Sequence, residues 1–130
     1  MLTVEEMENQ LISVKNEGEF THRLWNEYQV IVMNLLDSAE RPLYILSDFT
    51  ETTGFEKTIL PHIGSDLHFS HPKLGLIVLV GGSVLINFLL VVAENRATKE
   101  QQSQKMRVSR DRNEAVKTLR HYRDIAGIAP

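Results

Sequence analysis

The sequence predicts one α/β domain, residues 1–130, built as a mixed β-sheet of about four to five strands packed with about four helices. Three patterns carry that expectation. Short apolar runs rich in β-branched residues, LYILSD at Leu43–Asp48 and LIVLV at Leu76–Val80, have the composition of strands buried on both faces. Ahead of both, apolar residues recur at helical spacing, as in Leu24, Tyr28, Ile31 and Leu35. A length of 130 residues, 42% hydrophobic and 24% charged, suits one hydrophobic core and excludes a largely disordered chain.

Taken in order, QLISVK at Gln10–Lys15 alternates as a strand, and Leu2–Met7 is expected to pair with it through a turn at Glu8 and Asn9. Gly18 breaks that pattern. Thr21 is placed to cap a long helix running to about Ser38. Arg41 and Pro42 lead into the central strand Leu43–Asp48. DFTETTG at Asp48–Gly54 then reads as a polar loop at the carboxyl end of that strand, where open α/β sheets place their sites. Thr53 and Glu56 have the spacing of a capping box, so a helix is expected there, kinked at Pro61.

Leu74–Ala93 holds 20 residues without a charge and is long enough to span a bilayer. Gly81 and Gly82 interrupt it, and Ser83 follows as an N-cap, so the segment reads as a strand, a turn and a helix. The helix Val84–Glu94 is apolar nearly all round, with Asn87 its polar residue, and leaves an outer face in want of a cover. ATKEQQSQK follows as a linker, then MRVS at Met106–Ser109 as a last short strand. Asp111 and Glu114 form a second capping box. The final helix is expected to turn Ala115, Leu119 and Tyr122 inward and Lys117, Arg120 and Arg123 outward.

The net charge of −3 hides an asymmetry, because residues 96–130 carry nine Lys/Arg against four Asp/Glu while the rest is acidic. A basic helix face paired with the acidic remainder explains this. Nucleic acid is not an expected partner, since the aromatic interleaving of single-strand binders is missing. Without cysteine there is no disulfide, thiolate nucleophile or thiolate metal site. Glu5, Glu6 and Glu8 stand where a secretory signal would be basic and then apolar, so a cytoplasmic location is the default.

No catalytic constellation, metal set or cofactor fingerprint is read from the residues. His62, His68 and His71 lie close together but match no ligand spacing. Asp48, Thr50, Thr52 and Thr53 are the candidate phosphosite or ligand loop. Gly81, Gly82 and Ser83, opening a helix after a strand, are a candidate anion-binding turn, lacking the third glycine of a dinucleotide site and the lysine of a P-loop.

The order of elements, with GEFT at Gly18–Thr21, PLYILSDFT at Pro42–Thr50, HPKLGLIVLVGG at His71–Gly82 and RVSRDRNEAVKTL at Arg107–Leu119, resembles the SpoIIAA-like branch of the STAS superfamily. The resemblance spans nearly the whole chain. It implies a mixed sheet with helices on it and a non-catalytic module that binds a protein, a nucleotide or another small apolar or anionic ligand. Anti-sigma factor antagonists are phosphorylated on a serine of a DSSGL motif. ETTGF at Glu51–Phe55 corresponds here, placing Thr52 or Thr53 at that point, with threonine for serine and glutamate for aspartate.

The expected function is therefore a STAS-like regulatory or binding module. The alternative is a membrane-surface or lipid-binding protein using the apolar helix 84–93. Its outer face also predicts a homodimer, with Phe88, Leu89, Leu90 and Val92 in the interface.

Overall fold

The structure is a computed structural model that describes residues 1–59, 71–93 and 105–128, with side chains described to residue 89 in the second stretch and 127 in the third. Five strands form one sheet in sequence order: β1 (Leu2–Glu8), β2 (Leu11–Phe20), β3 (Leu43–Phe55), β4 (Leu74–Val80) and β5 (Met106–Ser109). β1 is antiparallel to β2, and every later pairing is parallel. Three helices, among the described residues, cover it: α1 (His22–Ser38), α2 (Ser83–Ala93) and α3 (Arg112–Ile128).

The opening hairpin forms, turning at Asn9 and Gln10, one residue later than expected, with Gln10 at φ 66° and its side-chain amide donating to the Pro42 carbonyl at 3.0 Å. Gly18 does not end β2. The strand continues to Phe20 through register shifts on either side of Gly18, which sits at φ 85°, a conformation that costs glycine little. α1 starts at the expected cap, with the Leu24 amide donating to Thr21 Oγ1 at 3.2 Å, and ends at Ser38. Its buried stripe is Leu24, Tyr28, Val32 and Leu36; Ile31 and Leu35 flank it half-buried.

The largest departure lies in β3. Asp48–Gly54 is strand, not loop, and β3 runs seven residues past Asp48 because the far part of β2 supplies a ladder partner: Glu17 faces Glu51, Gly18 faces Thr52 and Phe20 faces Phe55. The helix expected at Thr53 is replaced by continued strand and one tight turn at residues 57–59. Glu56 caps a different helix, its carboxylate accepting the His22 amide at 3.4 Å as well as the Thr58 hydroxyl. Pro61, with its expected kink, lies outside the described residues.

The sheet is covered on both faces. On one, Val14, Ile45, Phe49 and Ile77 pack beneath α1 and α2, joined by Phe20 and Leu85. On the other, Leu11, Tyr44, Leu46, Leu76 and Val78 pack beneath Ala115, Val116 and Leu119 of α3. Gly75 makes room for this second layer, since a Cβ there would meet the Tyr44 ring at 2.6 Å. Ala115 and Leu119 of α3 face inward and Lys117 and Arg120 outward, as expected, and the departure comes at Tyr122 and Arg123. Tyr122 is 39% exposed, and the Arg123 side chain, 19% exposed, takes the inward place one step on. Both positions suit the helical period after Leu119, and the Asn9 carbonyl, which accepts from Arg123 at 2.9 Å, together with Glu8 decides between them.

Candidate functional site

The carboxyl ends of β3, β4 and β5 meet the starts of α2 and α3 at one rim. Register places Asp48, Val80 and Ser109 side by side there. Asp48 is the last residue of β3 paired on both sides, and its side chain turns toward the α3 layer. It is 3% exposed, and the arrangement explains how a carboxylate is held there. Oδ1 accepts from the Thr50 amide at 2.9 Å and the Thr50 hydroxyl at 2.6 Å, while Oδ2 lies 3.5 Å from Nε of Arg112. Arg112 opens α3 immediately after Asp111, whose carboxylate caps the helix by accepting the Asn113 amide at 2.8 Å. Lys15, facing Asp48 across the ladder, pairs with Glu51 at 2.9 Å, and that bond holds its ammonium above the usual lysine pKa.

The four candidate residues at Asp48–Thr53 thus divide between chemistry already spent and chemistry on offer. Asp48 is spent on Thr50 and Arg112. Thr52 is 7% exposed, and its hydroxyl accepts from Asn16 Nδ2 at 2.8 Å and donates to the Asn16 carbonyl at 3.5 Å. Thr50 and Thr53 are exposed. Strand alternation separates Thr52 from Thr53, since neighbouring side chains leave on opposite faces, and the register shift between Asp48 and Glu51 separates Thr50 from Thr52. Asn16 and Arg112 were missed from sequence. Asn16 had one signal, a polar residue on the apolar register of β2 after Ile12 and Val14.

The glycine turn is also partly committed. The Gly81 amide donates to the Ser109 carbonyl at 3.3 Å, tying β4 to β5. Gly82, whose carbonyl accepts the Ile86 amide at 3.1 Å, stands at the capping position, and Ser83 is the first helical residue rather than the cap. Gly82 and Ser83 are exposed at the rim.

α2 differs from its sequence reading. Leu85 is buried, Phe88 stacks on Phe55 with centroids 4.2 Å apart and planes 10° from parallel, and Leu89 packs against the same core. Phe88 and Leu89 are half-buried within their own fold, while the outward positions of the described part are Ser83, Val84 and Asn87. The broad apolar outer face is therefore absent over these residues, because the aromatic end of the core reaches up to cover Phe88. The side chains of Leu90 and Val92 lie outside the described residues. No helix among those residues is long and apolar enough to cross a membrane.

Elsewhere, His71 sits at the opposite end of the strands with both nitrogens engaged. Nε2 lies 2.8 Å from Asp37 Oδ1, and Nδ1 accepts the Lys73 amide at 3.0 Å. His62 and His68 lie outside the described residues. The basic helix face is largely matched by acids of the same chain: Arg120 and Arg123 lie 2.6 and 3.3 Å from Glu8, and Lys117 lies 3.7 Å from Glu114.

No protein-family model matches the chain, and no curated protein matches it in sequence. Solved structures do. An uncharacterized protein of the DUF3478 family with a SpoIIAA-like fold, from Shewanella loihica PV-4, is 18% identical with a TM-score of 0.59 over 92% of each chain. An anti-sigma factor antagonist from Mycobacterium paratuberculosis is 12% identical with a TM-score of 0.64, over 92% of this chain and 93% of that one. The anti-sigma factor antagonist SpoIIAA in its unphosphorylated form is 11% identical with a TM-score of 0.56, over 92% and 98%. A five-stranded sheet with one antiparallel edge, helices on both faces and these neighbours together give the chain the SpoIIAA-like fold.

Proposed function

We propose that the chain is a non-catalytic regulatory module of the cytoplasm, and that it works by holding a protein partner on the rim at the carboxyl ends of β3, β4 and β5. The observation that carries this reading is the state of Asp48. Asp48, buried at the rim, accepts the amide and the hydroxyl of Thr50 on Oδ1 and faces Arg112 across 3.5 Å on Oδ2, so its carboxylate serves to fix the rim's shape. What remains outward is a set of small polar side chains, Thr50, Thr53 and Ser83, suited to recognition. The likeness to anti-sigma factor antagonists supports a protein as the partner.

Of the two threonines in ETTGF, Thr53 is the hydroxyl a kinase can reach, since Thr52 is enclosed against Asn16. A phosphate on Thr53 would set its charge beside Glu51 and repel an acidic partner surface. The exposed start of α2 at Gly82 and Ser83 offers a seat for an acidic side chain of the partner.

The test is site-specific photo-crosslinking in the native cell. A crosslinker at Thr53 or at Ser83 is expected to trap one and the same protein, whereas one at Gln10, at the far end of the strands, traps none of it. Thr53→Glu, with the crosslinker kept at Ser83, is expected to lower the yield of that adduct. Equal trapping from Gln10, or different proteins from Thr53 and Ser83, would overturn the rim as the binding surface.

A further inference from the structure

The sheet ends in two unlike edges. Among the described residues, nothing pairs with the outer side of β1 or of β5. β1 carries Glu5 and Glu6 on its exposed stretch, and β5 lies between Lys105 and Arg110 with Arg107 within it. Each edge holds one exposed apolar side chain at its middle, Val4 at 44% and Val108 at 43%.

The hydrogen-bond phase of each edge follows from its inner partner. The Glu17 amide donates to the Met1 carbonyl at 3.0 Å, so in the antiparallel alternation residues 1, 3 and 5 bond inward, and Leu2, Val4 and Glu6 turn their backbone groups out. On the other side, the Ile77 amide donates to the Lys105 carbonyl at 2.8 Å and the Gly81 amide to the Ser109 carbonyl at 3.3 Å. Residues 105, 107 and 109 therefore bond to β4, and Met106 and Val108 turn outward.

We propose that these edges fit each other, and that copies of this chain associate head to tail by antiparallel pairing of β5 of one with β1 of the next. Setting the outward-turned Val108 opposite the outward-turned Val4 brings Arg107 opposite Glu5 and Ser109 opposite Thr3. The faces agree as well. Val108 neighbours Leu79 and Val4 neighbours Val14, both on the α1 and α2 side, while Arg107 neighbours Val78 and Glu5 neighbours Ser13 on the α3 side. Apolar, ionic and hydroxyl side chains are thus each matched with their own kind or counter-charge, the pairing that stabilises cross-strand neighbours. Because β1 is antiparallel to the other four strands, the next copy enters in the same orientation, and the sheet simply continues. Pairing β1 with another β1 would instead gather the Glu5 and Glu6 side chains of both copies at one seam. The contact is heterologous, so it adds copies without an inherent stop. With only four residues in β5, it is weak and depends on concentration.

Analytical ultracentrifugation from micromolar to about 500 µM tests this, in the weak-affinity range such a contact implies. The expected result is an average mass that climbs from 14.9 kDa through dimer and beyond without a plateau. Val4→Pro and Val108→Pro each remove an outward N–H and leave the internal ladder whole, so each alone should stay monomeric. Mixed in equal amounts, they should form a dimer that grows no further, since one retains β5 and the other β1. Val4→Lys and Val108→Lys repeat the experiment if either proline variant misfolds by circular dichroism. Glu5→Arg or Arg107→Glu should weaken association about tenfold, and the two combined should restore it. A monomer throughout the range for the natural sequence would overturn the proposal, as would association that survives Val108→Pro.

Discussion

The two faces of the sheet are held by different physics. Beneath α1 and α2 the packing is aromatic. Phe20 stands edge-on to Tyr28, Phe49 and Phe55 at centroid distances of 6.3, 5.2 and 5.7 Å, and Phe88 closes the cluster from α2. Beneath α3 the buried stripe is the smaller set of Ala115, Val116 and Leu119, and the helix is fastened at its ends by charge. Arg112 meets Asp48 at the start, and Arg120 and Arg123 meet Glu8 further along. Apolar contact tolerates salt and pH and responds to lost volume; ion pairs at the surface respond to salt and pH and contribute less. The first face should therefore set the stability of the fold, and the second its sensitivity to solution conditions.

Truncating the centre of the aromatic face is the largest perturbation expected. Phe20→Ala removes a ring that touches three others and is 4% exposed, a change that costs about 3 to 5 kcal/mol where a cavity remains. Urea denaturation would measure it. Leu119→Ala, the corresponding deletion under α3, should cost about 2 to 5 kcal/mol and fall below Phe20→Ala, because its neighbours on the helix are small. The reverse order would break the contrast between the faces.

A smaller effect is expected from a hydroxyl pair inside the aromatic face. Tyr28 and Ser47 oxygens lie 2.6 Å apart, buried. Tyr28→Phe leaves the Ser47 hydroxyl in apolar surroundings without its partner and should cost about 1 to 3 kcal/mol. Adding Ser47→Ala to Tyr28→Phe should return most of that loss, since no polar group is then stranded. A double variant no more stable than the single one would show that packing, and not the unmet hydroxyl, was responsible.

These contrasts bear on what the sequence could tell. The elements that rest on local chemistry were legible: the Thr21 cap, the Gly81–Gly82 break between β4 and α2, and the Asp111 cap of α3. Elements that depend on a distant partner were not. ETTG at Glu51–Gly54 reads as a loop by composition, and it is strand because β2 extends equally far and the two pair through Phe20 and Phe55. Thr53 and Glu56 have capping-box spacing, yet Glu56 serves His22, which lies 34 residues away. At the candidate site, sequence named Asp48 and the threonines but gave them one environment. Burial of Thr52 against Asn16 and exposure of Thr53 follow from strand alternation, which became visible only once the segment was known to be a strand. The cover over Phe88 was hidden for a related reason, since it is Phe55 from the end of β3.

The smallest expected effect lies on the charged face. Glu8 takes a hydrogen bond from Arg120 and the charge of Arg123, and its carboxyl titrates below its ordinary value of 4.5, the Arg120 bond being the main cause. A carboxyl whose pKa is lower folded than unfolded stabilises the fold above the unfolded value, and that contribution fades as pH falls through the lower folded one. Stability of the natural sequence should thus hold through neutral pH and decline on acidification below about 4.5, with part of the decline due to this group. Arg120→Gln should flatten that part of the acid limb, and Glu8→Gln should remove it. In 1 M salt the natural sequence and both variants should converge, because exposed charges are then screened within about 3 Å. Thermal midpoints measured from pH 7 to pH 3 at low and high salt make the comparison. Since Glu8 joins the β1–β2 turn to α3 at the surface, its loss should leave the aromatic face untouched, so the Phe20→Ala and Glu8→Gln effects should add. Acid limbs that coincide for all three proteins at low salt would show that the Glu8 pairs add nothing to the hold on α3, and the charged share of that face would shrink to Arg112 and Asp48.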